Sequence, residues 1–258
     1  MKENELTARL DLAITLARDG GQCARAFFRG SRLDIKFKGL SDPVTAADLA
    51  VDDLIQARIR QSFPHDGILS EETGGNSSDI LWVIDPIDGT QNYSRGIARF
   101  AVSIAVCENK RPVCGAVYDP VADELFYARS GGSAFLNGTK INVSSVRTPD
   151  EALVEAGYSA KFGWERYHAM TGRLLAAGFG VRQVGSATLG LVEVACGRID
   201  GYCETHLESW DVAAAALIVA EAGGSVSDFF SGDGLRKGGP IIAAGSGIWE
   251  RFVAAAAI

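Results

Sequence analysis

Short apolar runs over residues 66–143 constrain the fold of this chain more than any other feature. They read ILWVID, FAVSIAVC, PVCGAVYD and ELFYA, and Gly, Pro and Asn residues separate them. Runs of this length, rich in β-branched and aromatic residues and bounded by turn residues, predict strands with tight connections. We therefore expect a largely antiparallel sheet in this stretch.

Helical spacing of apolar residues precedes the predicted sheet and returns after it. Residues 4–29 and the segment from Thr45 to Phe63 each predict an amphipathic helix, and the second begins with the capping pattern Thr45-Ala46-Ala47-Asp48. Beyond about residue 150, strands and helices alternate, which is typical of a mixed or parallel α/β arrangement. We expect one unit of residues 1–258, with approximate halves 1–145 and 146–258 and the active site between them.

Composition and charge narrow the class of protein. The chain has 47% hydrophobic and 22% charged residues, as globular proteins do, and its net charge of -7 with scattered basic residues argues against duplex nucleic acid as the main partner. The five cysteines form no CxxC pair and predict reduced thiols. The N-terminus lacks a signal-peptide pattern, and no apolar run approaches the roughly 20 residues of a membrane span, so we expect a cytoplasmic protein without a membrane partner.

The segment from Trp82 to Thr90 is an apolar strand that stops at two carboxylates. Pro86 fixes the backbone between Asp85 and Asp88, and Gly89 lets the chain approach a ligand closely. Mg²⁺ prefers hard oxygen ligands of this kind. An isolated DPxDG pattern is equally typical of an ordinary turn, and its spacing does not match an EF-hand loop.

Further acids lie at other predicted element ends. Glu71 follows an apolar run, Asp48 lies in a first helical turn, and Asp211 follows Trp210 at a helix start. Each has an ordinary interpretation: Asp48 completes a capping box, Glu71 is solvated, and Asp211 interacts with the helix dipole. Because the ends of several elements can converge on one cleft, a shared metal centre is the functional hypothesis.

Two long motifs carry a family resemblance. The run WVIDPIDGTQNYSRG resembles the first signature of the inositol monophosphatase family, and WDVAAAALIVAEAGG resembles the second, in the same order and register. The segments DPVTAAD at 42–48, SEET at 70–73 and GSATLG at 185–190 agree, so the resemblance covers nearly the whole chain. It implies an α/β (α+β) fold, a layered αβαβα sandwich like those of fructose-1,6-bisphosphatase and inositol monophosphatase, and a homodimer.

The resemblance also implies an active site with two to three Mg²⁺ ions. The implied metal ligands are Glu71, Asp85, the carbonyl of Ile87, Asp88 and Asp211, with Asp85 bridging two ions. Asp48 and Thr90 would orient the attacking water, and Glu71 completes the implied catalytic set. The implied substrate contacts are Asp88, Gly89, Thr90, Gly185, Ser186, Ala187, Glu204 and Asp211. Phosphate would rest on the backbone amides of Gly89 and Thr90, where a helical turn begins.

These residues imply magnesium-dependent hydrolysis of a small phosphate monoester. Glu204, which can accept hydrogen bonds from a polyol, favours myo-inositol monophosphate. Histidinol phosphate is the alternative, followed by sugar bisphosphates or nucleotide bisphosphates. A non-catalytic regulatory protein with the same fold is a hypothesis of another class, and the presence of every implied metal ligand and of Thr90 favours the enzyme. Inhibition by lithium is a further expectation from the resemblance.

Overall fold

A computed structural model describes residues 1–29, 36–39, 42–75, 78–158 and 163–258, without the side chains of residues 36–39 and 42–43. The helices of the described residues are α1 (Glu3–Phe27), α2 (Ala46–Ser62), α3 (Thr90–Ser94), α4 (Trp164–Ala176), α5 (Ala187–Ala195), α6 (Ser209–Glu221), α7 (Gly234–Lys237) and α8 (Trp249–Ala256). A 3₁₀ turn covers Pro149–Glu151. The predicted N-terminal helices are confirmed to within about two residues at their ends.

The strands of the described residues form two large sheets and one small ribbon. The ribbon pairs β1 (Lys36–Gly39) with β2 (Asp42–Val44). The first large sheet comprises β3 (Gly67–Ser70), β4 (Gly74–Gly75), β5 (Ile80–Asp88), β6 (Ala101–Glu108), β7 (Arg111–Asp119), β8 (Glu124–Arg129), β9 (Ala134–Leu136) and β10 (Thr139–Lys140). The second comprises β11 (Leu153–Ala156), β12 (Gly180–Arg182), β13 (Gly201–Leu207), β14 (Ser225–Val226) and β15 (Gly239–Ala244).

Strand order in the two sheets matches the pattern of the sequence. The first sheet has the order β10-β9-β8-β7-β6-β5-β3-β4, and among its pairs β3 runs parallel to β5 while the others are antiparallel. The second has the order β12-β11-β13-β15-β14 and is mixed, since β11 runs parallel to both neighbours and β15 antiparallel to both of its own. The boundary near residue 145 falls between the two sheets, and the division into halves stays a prediction.

Alternation along the strands separates three helical layers. On β5, Trp82 and Ile84 pack with α1 and α2, whereas Leu81 and Val83 pack with α5 and α6 on the opposite face. On β15, Ile241 and its alternate neighbour pack towards α5 and α6, and the intervening residues pack towards α4 and α8. The layers are therefore α1/α2, the first sheet, α5/α6, the second sheet and α4/α8, which is the expected αβαβα sandwich.

The middle helical layer explains the apolar character of α6. Residues 212–219 of this helix are all buried, because one side of α6 meets the first sheet and the other meets α5 and the second sheet. A helix enclosed in this way is apolar all round rather than amphipathic. Its N-terminus, which carries Asp211, is thereby placed between the two sheets.

Two further expectations concern the chain as a whole. All five cysteines are free thiols, and Cys107, Cys114 and Cys203 are buried. Within the described residues, no helix combines the length and the apolar character required to cross a membrane.

Candidate active site

A bulge in β5 places two acids on the same side of the first sheet. Asp85 pairs with Ser103 and Asp88 pairs with Ala101, so three steps along β5 oppose two steps along β6. In a regular strand, residues three apart face opposite sides, and one extra residue reverses that relation. Pro86 lies inside the bulge, where its missing amide hydrogen costs no ladder hydrogen bond.

The resulting cluster joins acids from two layers. Carboxylate oxygens of Asp85, Asp88 and Asp211 all lie within 4.8 Å of one another. Asp85 is 1% exposed and Asp88 is 6% exposed. The structure thus brings together three of the metal ligands implied by the sequence, two from the end of β5 and one from the first turn of α6.

Main-chain amides and one hydroxyl donate hydrogen bonds to the three carboxylates. The amide of Ile87 donates to Oδ1 of Asp85 at 3.0 Å, and the amide of Glu208 donates to Oδ2 of Asp211 at 2.9 Å. Oδ2 of Asp88 accepts from the hydroxyl of Ser186 and from the amide of Thr188 at 3.1 Å. These bonds hold each side chain in place.

The electrostatics of the cluster suit a divalent cation. Burial raises the pKa of Asp85 well above its usual value, and the charges of Glu71, Asp88 and Asp211 raise it further. Burial and then the charges of Asp88 and Glu71 raise the pKa of Asp211 in the same way. Since the hydrogen bonds to these carboxylates supply no positive charge, a bound cation would stabilise their charged forms. The donor set, which is all oxygen, fits Mg²⁺.

Glu71 joins this cluster from the neighbouring strand. It directly follows β3, and its amide donates to the carbonyl of Ile84 at 3.1 Å, one residue before Asp85. A hydrogen bond with Glu71 is one of the causes that raise the pKa of Asp85. The structure therefore places Glu71 beside Asp85, as the resemblance implies.

The carbonyl of Ile87, Thr90 and Asp48 form a second connected group. The Thr90 hydroxyl lies 2.8 Å from the Ile87 carbonyl oxygen and 3.3 Å from Oδ1 of Asp48, so its single proton has two alternative acceptors. Oδ2 of Asp48 accepts from the amide of Thr45 at 2.8 Å and from its hydroxyl at 2.6 Å. Asp48 thus completes the capping box of α2 and also reaches Thr90.

Replacement of Asp48 by Asn separates these two roles. We expect Asp48→Asn to lower kcat by about a hundredfold, because Asn cannot take up a proton, while the unfolding free energy falls by no more than about 1 kcal/mol. Thr45→Ala is the matched control: it weakens the cap and leaves the contact between Asp48 and Thr90. Nearly normal kcat in both variants, measured with a saturating substrate, would mean that Asp48 is only a cap.

A close crossing of two loops accounts for Gly89. This residue has a φ of 90°, and a Cβ there would lie 3.0 Å from the carbonyl oxygen of Arg99 and 3.2 Å from that of Gly185. Both the left-handed backbone and the crowding favour glycine. The start of α3 therefore packs against the loop that carries Gly185, Ser186 and Ala187 into α5.

Asn92 holds the two crossing loops together by hydrogen bonds. The sequence analysis did not single it out. Its Nδ2 lies 3.0 Å from the Arg99 carbonyl, 2.9 Å from that of Val184 and 3.0 Å from that of Gly185. The sequence offered one signal for this role: Asn92 lies in a turn two residues after Thr90, and its side-chain amide has two donor hydrogens. It was not sufficient, because two of the three partners, Val184 and Gly185, lie more than 90 residues away in sequence.

A buried acid, Glu155, and the charged residues around it hold the same loop from the other side. Oε1 of Glu155 on β11 accepts from the amide of Val184 at 3.3 Å. Arg99 and Arg182 lie within 3.6 Å of Oε2 of Glu155, and both also pair with Glu193 near the end of α5. Burial raises the pKa of Glu155 to about 7, although both arginines act against this rise. The sequence analysis missed this group too.

Glu204 lies in a separate buried subsite on β13. It is 4% exposed, and the hydroxyl of Tyr202 donates to its Oε2 at 2.6 Å. Gly157 provides the room, since a Cβ there would lie 1.9 Å from that oxygen. Burial raises the pKa of Glu204 to about 8, and the charge of Asp88 contributes. Glu204 thus lies within electrostatic range of the acidic cluster, while Gly185 and Ser186 contact Asn92 and Asp88.

The raised pKa values predict an unusual dependence of stability on pH. Folded Glu155 and Glu204 hold protons up to about pH 7 and pH 8, whereas the unfolded chain releases them near the ordinary glutamate value of 4.5. Because the folded state binds more protons in this window, stability without metal is expected to fall as pH rises through it. Melting temperatures in EDTA test this, and Glu204→Gln should flatten the upper part of the curve. A melting temperature that rises steadily to pH 8 would contradict the prediction.

The fold and the centre together define a class: layered αβαβα proteins with a buried, all-oxygen acidic centre between the sheets, suited to divalent cations. The chain belongs to the inositol monophosphatase family, whose model matches residues 5–257. This family is metal-dependent and acts on small phosphate esters.

Individual relatives match along nearly their whole length. The chain is 41% identical over 250 residues to the Nus factor SuhB of Haemophilus influenzae, covering 95% of this chain and 94% of that protein. It is 36% identical over 248 residues to an inositol-1-monophosphatase of Mesorhizobium japonicum, covering 92% and 91%. The crystal structure of the extragenic suppressor protein suhB from Bartonella henselae superimposes with a TM-score of 0.90 at 34% identity, covering 96% of this chain and 98% of that one.

Proposed function

We propose that this protein is a magnesium-dependent phosphomonoesterase whose preferred substrate is myo-inositol monophosphate. The observation that carries the proposal is the buried cluster of Asp85, Asp88 and Asp211. The hydrogen-bonded pair of Thr90 and Asp48 lies next to it, since Thr90 follows Asp88 by two residues. Membership of the family supports the chemistry, and the buried, hydrogen-bonded pair of Glu204 and Tyr202 supports the substrate.

Oxygen atoms of the cluster would hold the metal. The side chains of Glu71, Asp85, Asp88 and Asp211 and the carbonyl of Ile87 are the proposed ligands, and two to three ions are the proposed occupancy. When bound, Mg²⁺ activates water and neutralises the charge that develops on the phosphoryl and leaving oxygens. The oxygens outside the hydrogen bonds from Ile87, Ser186, Thr188 and Glu208 are the ones available for this coordination.

Thr90 and Asp48 would position the attacking water and receive its proton. The Thr90 hydroxyl can accept a hydrogen bond from water while it donates to Oδ1 of Asp48. Burial raises the pKa of Asp48, and the hydrogen bonds from Thr45 and Thr90 limit the rise. Asp48 is thereby a better proton acceptor than an ordinary surface aspartate.

Phosphate and the organic group would occupy adjacent places. The amides of Gly89 and Thr90, at the start of α3, are the proposed phosphate contacts, together with Asp88 and Asp211 through the metal. Gly185, Ser186 and Ala187 would border the organic group. Glu204, protonated with a pKa of about 8 and held by Tyr202, can both donate to and accept from ring hydroxyls. That pattern supports a polyol over the cationic side chain of histidinol phosphate, which remains the alternative.

Phosphate release from a substrate panel tests the proposal. We expect inositol 1-phosphate to be hydrolysed fastest with Mg²⁺, ahead of histidinol phosphate, fructose 1,6-bisphosphate and adenosine 3′,5′-bisphosphate, and EDTA to stop the reaction. Preference for histidinol phosphate would correct the substrate and keep the chemistry. No EDTA-sensitive release from any of them, by folded protein, would overturn the proposal.

Two properties implied by the resemblance belong to the same proposal. We propose a homodimer, which light scattering of the purified protein measures directly. Inhibition of phosphate release by lithium is the second, and activity that lithium in the millimolar range leaves unchanged would count against it.

A second role follows from the name of the Haemophilus influenzae relative, Nus factor SuhB. We propose that this protein, in addition to hydrolysis, has the binding role that the name Nus factor denotes. Expression of the wild type and of Asp85→Asn in a suhB deletion strain separates the two functions. Rescue of the deletion phenotype by both proteins would support a role that does not need the acidic centre, and rescue by neither would count against it.

A further inference from the structure

Asp52 is a buried acid for which the proposed reaction has no use. It lies on α2 one turn after Asp48 and is 1% exposed. Oδ1 of Asp52 accepts from the hydroxyl of Ser70 at 2.6 Å, and Oδ2 accepts from Nε2 of Gln56 at 2.7 Å. Both oxygens of this carboxylate therefore have neutral hydrogen-bond donors from two different elements, α2 and β3.

These contacts lead directly to the segment that carries Glu71. Ser70 is fully buried, ends β3 and immediately precedes Glu71, and its oxygen accepts from the amide of Glu72 at 3.3 Å. Nε2 of Gln56 also lies 2.6 Å from the hydroxyl oxygen of Thr73. Asp52, Gln56, Ser70 and Thr73, here called the Asp52 network, thus attach α2 to the chain on both sides of Glu71.

Directional constraints make the acid necessary in this network. Arg60 donates to Oε1 of Gln56, which fixes the orientation of that amide and turns its Nε2 towards Asp52. Ser70 accepts from the amide of Glu72, so its proton is directed to Asp52. Two donors therefore face Asp52, and a carboxylate, which only accepts, satisfies both.

The face of α2 that carries Asp52 also carries Asp48, which belongs to the other proposed catalytic group. Asp48 and Asp52 are four residues apart on α2 and therefore lie on one side of the helix. Asp48 reaches Thr90, and Asp52 reaches Ser70, whose strand pairs with β5 at Ile84, next to Asp85. One rigid helix thus spans the group that orients water and the segment that supplies a metal ligand.

We propose that Asp52 is a positioning residue for Glu71, and that through Ser70 it fixes the Glu71 carboxylate for cation binding. The inference rests on the proposed function of the acidic centre. Groups that orient metal ligands by hydrogen bonds contribute about 10-fold to 100-fold to metal affinity or activity.

Asp52→Asn and Ser70→Ala test the inference from both ends of one hydrogen bond. In Asp52→Asn the new NH₂ group faces either Nε2 of Gln56, which is a donor, or the Ser70 hydroxyl, whose proton then loses its acceptor. We expect both variants to weaken binding of Mg²⁺ and Mn²⁺, measured by calorimetry, by about tenfold. The half-activating Mg²⁺ concentration should rise equally, with kcat at saturating Mg²⁺ within about threefold of wild type.

The adjacent Asp53, which is exposed, provides the matched control. Asp53→Asn removes the same charge one residue away and should leave metal binding unchanged. Because Asp52 and Ser70 act through one contact, the double variant should bind metal no more weakly than either single variant. If Asp52→Asn does not fold, Ser70→Ala supplies the same measurement.

The outcomes separate this inference from the proposed function. Metal affinity of Asp52→Asn and Ser70→Ala equal to that of Asp53→Asn would overturn the positioning role, provided that Asp85→Asn loses binding. Wild-type protein that binds neither cation would overturn the proposed metal centre itself. Independent, additive losses in the double variant would also contradict a shared route through Ser70.

Discussion

Asp85→Asn is expected to lower phosphatase activity by about a thousandfold and to raise the melting temperature of the metal-free protein. Asparagine keeps the shape of the side chain and can still accept the hydrogen bond from the amide of Ile87. It removes one negative charge from a buried site where Glu71, Asp88 and Asp211 already repel it. The same charge that destabilises the empty fold is the one that a cation needs, so activity and stability should change in opposite directions.

Steady-state kinetics over a range of Mg²⁺ concentrations and thermal unfolding in EDTA test the two parts of this prediction. Asp79→Asn is the control, because Asp79 is exposed just before β5 and lies outside the cluster. Activity within tenfold of wild type would show that the reaction does not use this centre. A lower melting temperature would contradict the argument from charge repulsion.

Gly157→Ala is expected to abolish the buried subsite around Glu204. A Cβ at this position would lie 1.9 Å from Oε2 of Glu204 and 2.4 Å from the Tyr202 hydroxyl, so the carboxyl group must move. We expect kcat/KM for inositol 1-phosphate to fall by about a hundredfold. Overpacking should lower the unfolding free energy by about 1–3 kcal/mol.

A substrate without ring hydroxyls distinguishes lost recognition from general damage. Hydrolysis of p-nitrophenyl phosphate should fall much less, because it makes no use of Glu204. Gly172→Ala in α4 is the matched control, since a Cβ there meets nothing within 4 Å and the helix interior gains stability from alanine. An equal loss of activity on both substrates would indicate general damage to the site and would count against selective recognition of inositol 1-phosphate through Glu204.

Patterns among residues close together in the sequence made the fold and much of the site predictable. The apolar alternation of β5, the capping pattern of α2 and the apolar run of α6 each determine an element through neighbours in the sequence. Because the acids lie at the ends of these elements, a shared cleft was a reasonable hypothesis. The resemblance to the family supplied the particular set of Asp85, Asp88 and Asp211, whose carboxylates the structure brings together.

Contacts between distant segments could not be predicted in this way. Ser186 donates to Asp88 across 98 positions, and Asn92 donates to the carbonyl of Val184 across 92. Gly157 was not recognised as the residue that makes room for Glu204, because glycine has no side chain to suggest a role. Such contacts depend on how the layers dock, and periodicity within one element carries no information about that.

The ordinary and functional interpretations of two acids proved compatible. Asp48 and Asp211 each close a capping box at the start of a helix. A carboxylate has two oxygens, and in Asp211 the cap uses only Oδ2, while in Asp48 Oδ1 reaches Thr90. For both acids, a structural role at the helix start and the proposed role in the active site are therefore compatible, because a carboxylate can serve the helix with one oxygen and the site with the other.

The middle helical layer has a consequence for the way the protein matures. Asp85 and Asp88 lie in the first sheet, whereas Asp211 and the Ser186 hydroxyl that holds Asp88 come from α6 and the entry to α5. The first sheet, residues 67–140, is synthesised before Ser186 and Asp211, so a nascent chain carries Asp85 and Asp88 before the rest of the cluster exists. A cation bound at the proposed centre would therefore require that the two sheets have already packed against the middle helical layer, and its binding would stabilise the completed fold.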